Sequence, residues 1–214
     1  MKRTFLFSLL LLLLGATAEA ATWHVKAAVT CPNNGDGTSQ SCAASAGAAG
    51  AWNTPVSAFQ SASVTCGDTV QFYTGTWVTN NDGTNSVIDG GFTITTNTST
   101  CAGNPILYKA ANNQTPELRN CPLGSTSWAQ CARPTLNLGD KSHIVIDGFK
   151  IVGVLWNSPA TPSGYNGTIN TLRKGIVIRN NEITVGWALA GNGDWAGVQI
   201  SWSDSPRLVN NYVH

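Results

Sequence analysis

Ile144-Val145-Ile146-Asp147-Gly148-Phe149-Lys150-Ile151 is followed by a second stretch of the same form, Ile176-Val177-Ile178-Arg179-Asn180-Asn181-Glu182-Ile183. A third, Leu208-Val209-Asn210-Asn211-Tyr212-Val213, stands near the end of the chain. Ile178 lies 32 residues after Ile146 (178 − 146), and Leu208 lies 30 after Ile178 (208 − 178). Self-similarity at a period of roughly 20–50 residues is the signature of a stacked repeat. Each unit reads strand, short polar turn, strand, so the expected repeat is a β coil and not a helix pair. Val198-Gln199-Ile200 adds a strand between the last two copies, which predicts three strands per coil.

The Asn pairs fit the same picture. A coil bends sharply between strands, and Asn tolerates the positive φ that such a bend demands. Stacking would bring Asn180-Asn181 beside Asn210-Asn211 as an amide ladder. Asp147-Gly148 is expected at the same corner one coil earlier.

Outward from the repeats, Thr69–Tyr73, Phe92–Thr95, Ile106–Tyr108 and Thr135–Leu138 are short β-rich runs with no helix of useful length between them. Pro55–Ser63 suits one short helix with Pro in its first turn. Residues 31–54 are rich in Gly, Ala, Ser and Asn and read as a surface loop. The expected organisation is a signal at 1–20, an N-terminal loop and first-strand region at 21–54, and coils with an N-terminal cap at 55–214.

Residues 1–20 carry the features of an export signal. Lys2 and Arg3 precede an apolar run, Phe5–Leu14, and Ala18-Glu19-Ala20 has the small-x-small form of a cleavage site. The run is about half the roughly 20 residues that a transmembrane helix needs. The mature chain is then expected to begin near Ala21, with a secreted, periplasmic or cell-surface location and no membrane span. Removal of Lys2, Arg3 and Glu19 takes 12 basic and 11 acidic residues to 10 and 10. A chain of zero net charge has no electrostatic funnel for nucleic acid or an anionic membrane.

Six cysteines, Cys31, Cys42, Cys66, Cys101, Cys121 and Cys131, behind a signal read as disulfides. Cys31–Cys42 and Cys121–Cys131 would be the short closures, leaving Cys66 with Cys101. No C-x-x-C pair or spaced His supports a structural zinc site.

Several stretches together resemble secreted right-handed parallel β-helix proteins. They are Asn34-Gly35-Asp36-Gly37-Thr38, Trp52-Asn53-Thr54-Pro55, the run from Cys66 to Trp77, Ala102–Ala110 and His143–Phe149. The pattern is similar to the pectate-lyase-like superfamily, which includes polysaccharide lyases. The likeness covers nearly all of the mature chain and lies in turns, strand edges and a capping helix. It therefore speaks for fold more than for activity. It implies an all-β, right-handed parallel β-helix whose first coil is covered by Pro55–Ser63. A solenoid needs a cap at both ends, and His214 falls inside a repeat, so the coils are expected to continue past it.

The resemblance also implies a function: a secreted carbohydrate-active protein, a polysaccharide lyase or related depolymerase of an acidic polysaccharide. In such lyases a basic residue removes the proton beside a uronate carboxylate, while calcium or another cation neutralises that carboxylate. Asp194, in the loop Gly191–Gly197, and Asp204 are the candidate carboxylates for metal; Asp194 is also a candidate for substrate. Repeat spacing places Asp204 beside Lys174 (204 − 174 = 30), where the two could simply pair. Trp187, Trp195 and Trp202 cluster around the same expected groove and could stack on sugar faces. No base is assigned, and the chain by itself is expected to be inactive. A non-catalytic exported β-helix that binds glycans or other cells is the alternative. His24, His143 and His214 form no metal-ligand spacing, and G-x-S-x-G, H-E-x-x-H and phosphate-loop motifs are missing.

Overall fold

A computed structural model describes residues 19–78, 92–96, 98, 101–119, 135–138, 141–153, 155–157, 173–184, 198–200 and 203–214. Among them the protein is almost wholly β, with parallel sheets and one short helix. A six-stranded sheet has the order β1 (Thr22–Val25), β2 (Thr69–Phe72), β5 (Ile106–Ala110), β8 (Ile144–Asp147), β12 (Ile176–Arg179), β16 (Arg207–Val209). A five-stranded sheet contains β3 (Gly75–Val78), β6 (Pro116–Arg119), β9 (Lys150–Val152), β13 (Glu182–Thr184) and β17 (Tyr212–Val213). A four-stranded sheet joins β4 (Phe92–Thr93), β7 (Leu136–Asn137), β10 (Leu155–Asn157) and β14 (Val198–Ile200). A small pair is made by β11 (Arg173–Lys174) and β15 (Ser203–Asp204). From β2 onward the chain visits the six-, five- and four-stranded sheets in that order, as the three-strand unit predicted, with β11 and β15 added as a fourth strand before the last two returns.

The register agrees with the sequence period. Ile178 stands opposite Ile146 on one side and Leu208 on the other, and the same column continues back through Tyr108, Val70 and Trp23. Along β2, β5, β6 and β12 buried and partly exposed residues alternate, because successive side chains of a strand point to opposite faces. The inward set, including Val70, Phe72, Tyr108, Ile146, Phe149 and Ile178, forms one continuous core.

The corners divide labour between the two Asn positions. Asn180 and Asn210 take the positive φ, at 55° and 52°, and Gly148 takes it one strand earlier at 80°. Asn181 and Asn211 turn inward: Asn181 Nδ2 donates to Asn211 Oδ1 at 3.0 Å and to the Ile146 carbonyl at 3.1 Å. Asn211 Nδ2 donates to the Ile178 carbonyl at 2.8 Å. One expectation is corrected here. The corner before Asn180-Asn181 is Gly148-Phe149, not Asp147-Gly148, because Asp147 is still in the strand opposite Arg179. Phe149 holds the ladder position with an apolar ring against Phe72, 4.9 Å between centroids, and its main-chain N–H donates to Asn181 Oδ1 at 2.9 Å.

Helix α1 (Pro55–Phe59) is shorter than the predicted Pro55–Ser63. Thr54 caps it by accepting from the Val56 N–H, and Gln60 closes it by donating to the Val56 carbonyl. Five residues are too few to be stable through propensity; Phe59 holds the turn in place, packed against Phe72, Phe92 and Tyr108. The stretch 31–54 is not merely a surface loop. Trp52 is 5% exposed, donates to the His24 carbonyl at 2.9 Å and accepts from the Lys26 N–H at 2.8 Å, so it lines the free edge of β1. Gly37 lies under its indole with φ 85°, and a Cβ there would come within 2.6 Å of the ring.

Cys31–Cys42 and Cys66–Cys101 are disulfide-bonded as expected. Cys121 and Cys131 lie outside the described residues. Among the described residues no helix is long and apolar enough to cross a membrane.

Candidate functional site

Two polar surfaces flank the corner between the six- and five-stranded sheets. The first begins on β1 and β2, where register sets His24 beside Gln71 and Lys109 follows on β5. Tyr73 leaves β2 with its N–H donating to the Val25 carbonyl at 3.0 Å. His24 Nδ1 and the Tyr73 hydroxyl are then 3.2 Å apart, with the same hydroxyl 3.5 Å from Gln71 Oε1. Lys26 Nζ sits 5.1 Å from the Tyr73 ring centroid. Burial, and secondarily the Lys26 charge, lowers the His24 pKa from its ordinary value of 6.5. Burial raises that of Tyr73 above 10.0. The pair therefore holds a neutral imidazole, able to accept a proton, beside a phenol that keeps its own. The cluster joins residues 49 apart in sequence, and only the β1–β2 register reveals it.

The second surface is a ladder of charges on the five-stranded sheet. Glu117 meets Arg119 at 3.1 Å and Lys150 at 3.8 Å. Lys150 reaches Glu182 at 3.7 Å, and Glu182 stands 3.5 Å from His214. Across the corner, Arg179 contacts Asp147 Oδ2 at 2.8 Å through Nη2, while Asn180 donates to Asp147 Oδ1 at 2.8 Å. The more exposed of these pairs, Lys150–Glu182 and His214–Glu182, contribute about 0–1 kcal/mol each. The effect of all the pairs is to cancel charge strand by strand, leaving a surface of mixed donors and acceptors and no uniform field.

Of the residues singled out by sequence, Trp187, Asp194, Trp195 and Trp202 lie outside the described residues. Asp204 is exposed, faces Lys174 in the β11–β15 register as spacing predicted, and accepts from the Ser205 hydroxyl at 3.0 Å. Calcium takes 6–8 oxygens, and one exposed carboxylate beside a lysine does not supply them. Among the described residues no group of three or more His, Cys, Asp or Glu converges as a metal site.

Asp68 follows Gly67 just before β2, a pair whose local sequence reads only as a turn. It is 2% exposed, and both carboxylate oxygens are occupied. Trp23 Nε1 and the Thr65 main-chain N–H donate to Oδ2 at 2.9 and 2.8 Å, and the Ala21 main-chain nitrogen donates to Oδ1 at 2.7 Å. Two of these donors come from the far end of the first strand region, so the local sequence carries no sign of them.

Comparison of the chain with protein-family models, curated proteins and solved structures returned no match from any of the three.

Proposed function

We propose that this is a secreted, carbohydrate-active protein of the pectate-lyase-like kind, whose strands wind as a right-handed parallel β-helix. We further propose that it acts on an acidic polysaccharide as a lyase or related depolymerase. The observation that carries the activity, and that puts it within this chain where inactivity of the chain by itself was expected, is the His24–Tyr73 pair with Lys26 and Lys109 on the same outer face. A uronate carboxylate beside the lysines loses part of its charge, which makes the adjacent C–H more acidic. Neutral His24 takes that proton, the C–H electrons form the new C=C bond, and the glycosidic C–O bond breaks. Tyr73, kept protonated by burial, gives its proton to the departing oxygen. Trp187, Trp195 and Trp202 are assigned to sugar stacking and Asp194 to polymer contact farther along.

A second reading, a non-catalytic exported β-helix that binds glycans, draws support from the self-neutralised ladder Arg119–Glu117–Lys150–Glu182. The two separate in one experiment. The mature protein is incubated with a panel of uronate polymers, and both retention on the polymer and release of ultraviolet-absorbing unsaturated ends are followed. Release that disappears in Tyr73→Phe and His24→Ala supports the lyase; retention without release supports the binding protein. Neither retention nor release on any polymer of the panel rejects both.

A further inference from the structure

Asp68 is a buried charge that the proposed chemistry leaves unused. Four donors converge on it: Ala21 N on Oδ1, and Trp23 Nε1, Thr65 N and Thr65 Oγ1 on Oδ2, at 2.7, 2.9, 2.8 and 3.3 Å. Among the described residues no Lys, Arg or His side chain stands at ion-pair distance from it. Hydrogen bonds alone satisfy the carboxyl, and a cationic donor among them would add an opposite charge to the contact. The shortest contact is to Ala21, the residue that follows Ala18-Glu19-Ala20. Glu19 and Ala20 are exposed, whereas Ala21 is partly buried and its carbonyl accepts the Thr69 N–H at 2.9 Å. Ala21, the residue just after the cleavage motif, is thus the first partly buried one among the described residues at this end.

We infer that removal of residues 1–20 converts the Ala21 nitrogen into the cationic partner of Asp68, so that export processing completes the anchoring of the first strand. Water adds across the Ala20–Ala21 amide, its oxygen going to the Ala20 carbonyl carbon as the C–N bond breaks. Ala20 departs as a carboxylate and the Ala21 nitrogen gains the protons of an ammonium. Before the cut that nitrogen already offers Asp68 a neutral N–H, so cleavage adds charge to an existing contact. Charge-assisted hydrogen bonds are roughly twice as strong as neutral ones. Trp23, on the same carboxylate, stacks on Trp52 with centroids 5.3 Å apart, which carries the anchor into the segment covering the β1 edge.

The inference rests on residues 1–20 being an export signal, and the test separates the two ideas. The full chain is exported from a host cell and its new N-terminus sequenced. The protein is then melted beside a form retaining Glu19-Ala20 and beside an Nα-acetylated form starting at Ala21, each of which keeps the N–H without the charge. The expected result is an N-terminus at Ala21 and a melting temperature at least about 3 °C above both uncharged forms. In Asp68→Asn that gap closes; if the variant does not fold, the acetylated form carries the comparison. An N-terminus elsewhere overturns the inference together with the cleavage assignment. Coincident melting of the three forms overturns the ion pair and leaves the export signal standing.

Discussion

Asn181 is where a single side chain matters most for the stacking. It is 2% exposed and its amide serves the Phe149 N–H, the Ile146 carbonyl and the Asn211 amide at once. Asn181→Ala leaves a buried donor and a buried acceptor without partners, each worth about 1–3 kcal/mol. We expect a loss of about 2–4 kcal/mol in urea denaturation. Asn211→Ala should cost less, because its side chain lies nearer solvent. A loss below that of an ordinary surface substitution at Asn181 would reject the ladder. His24 makes a prediction of a different kind. Its folded pKa lies below 6.5, so the native state binds fewer protons than the unfolded chain. Its contribution to stability is complete above 6.5 and is lost as pH falls toward the folded value. His24→Gln should therefore flatten the acid side of the stability profile, measured as denaturation midpoints across the histidine range. Parallel profiles for the two proteins would count against the buried imidazole.

At the level of elements, the helix and the disulfides act on the first strands. Cys66–Cys101 ties the turn before β2 to the turn before β5 across 35 residues of sequence. Closing a loop of that size restrains the unfolded chain by about 2–4 kcal/mol. Cys66→Ser/Cys101→Ser should lower the thermal midpoint by several degrees, seen by calorimetry, while Cys31→Ser/Cys42→Ser, with its shorter span of 11, should do less. Equal losses would show that packing of residues 31–54, not loop closure, sets the effect. Elements also differ in how visible they were. β8 and β12 announce themselves by Ile-Val-Ile runs, whereas β6, Pro116–Arg119, carries a proline and two charges and shows no strand signal. Only Pro116 and Leu118 point inward; the strand exists because β3 and β9 pair with it on either side. The His24–Tyr73 cluster was hidden for the same reason, since neither residue's local sequence refers to the other.

For the molecule as a whole, the parallel pairing and single short helix of the described residues predict a circular dichroism spectrum dominated by β signal in the oxidised mature chain. A helical fraction beyond a few residues would contradict the architecture. The sequence by itself determined the period, the short β-rich runs beside it and the Asn residues that bend at the later corners. Those depend on short-range physics: alternation along a strand, and the tolerance of Asn and Gly for positive φ. Tertiary structure alone decided which side chains became neighbours across the repeats. It placed Asp68 under Ala21 and Trp23, Trp52 along the β1 edge, and Phe149 at a ladder position. Such contacts join residues tens of positions apart, and their energies depend on register and burial, which no local stretch of sequence encodes.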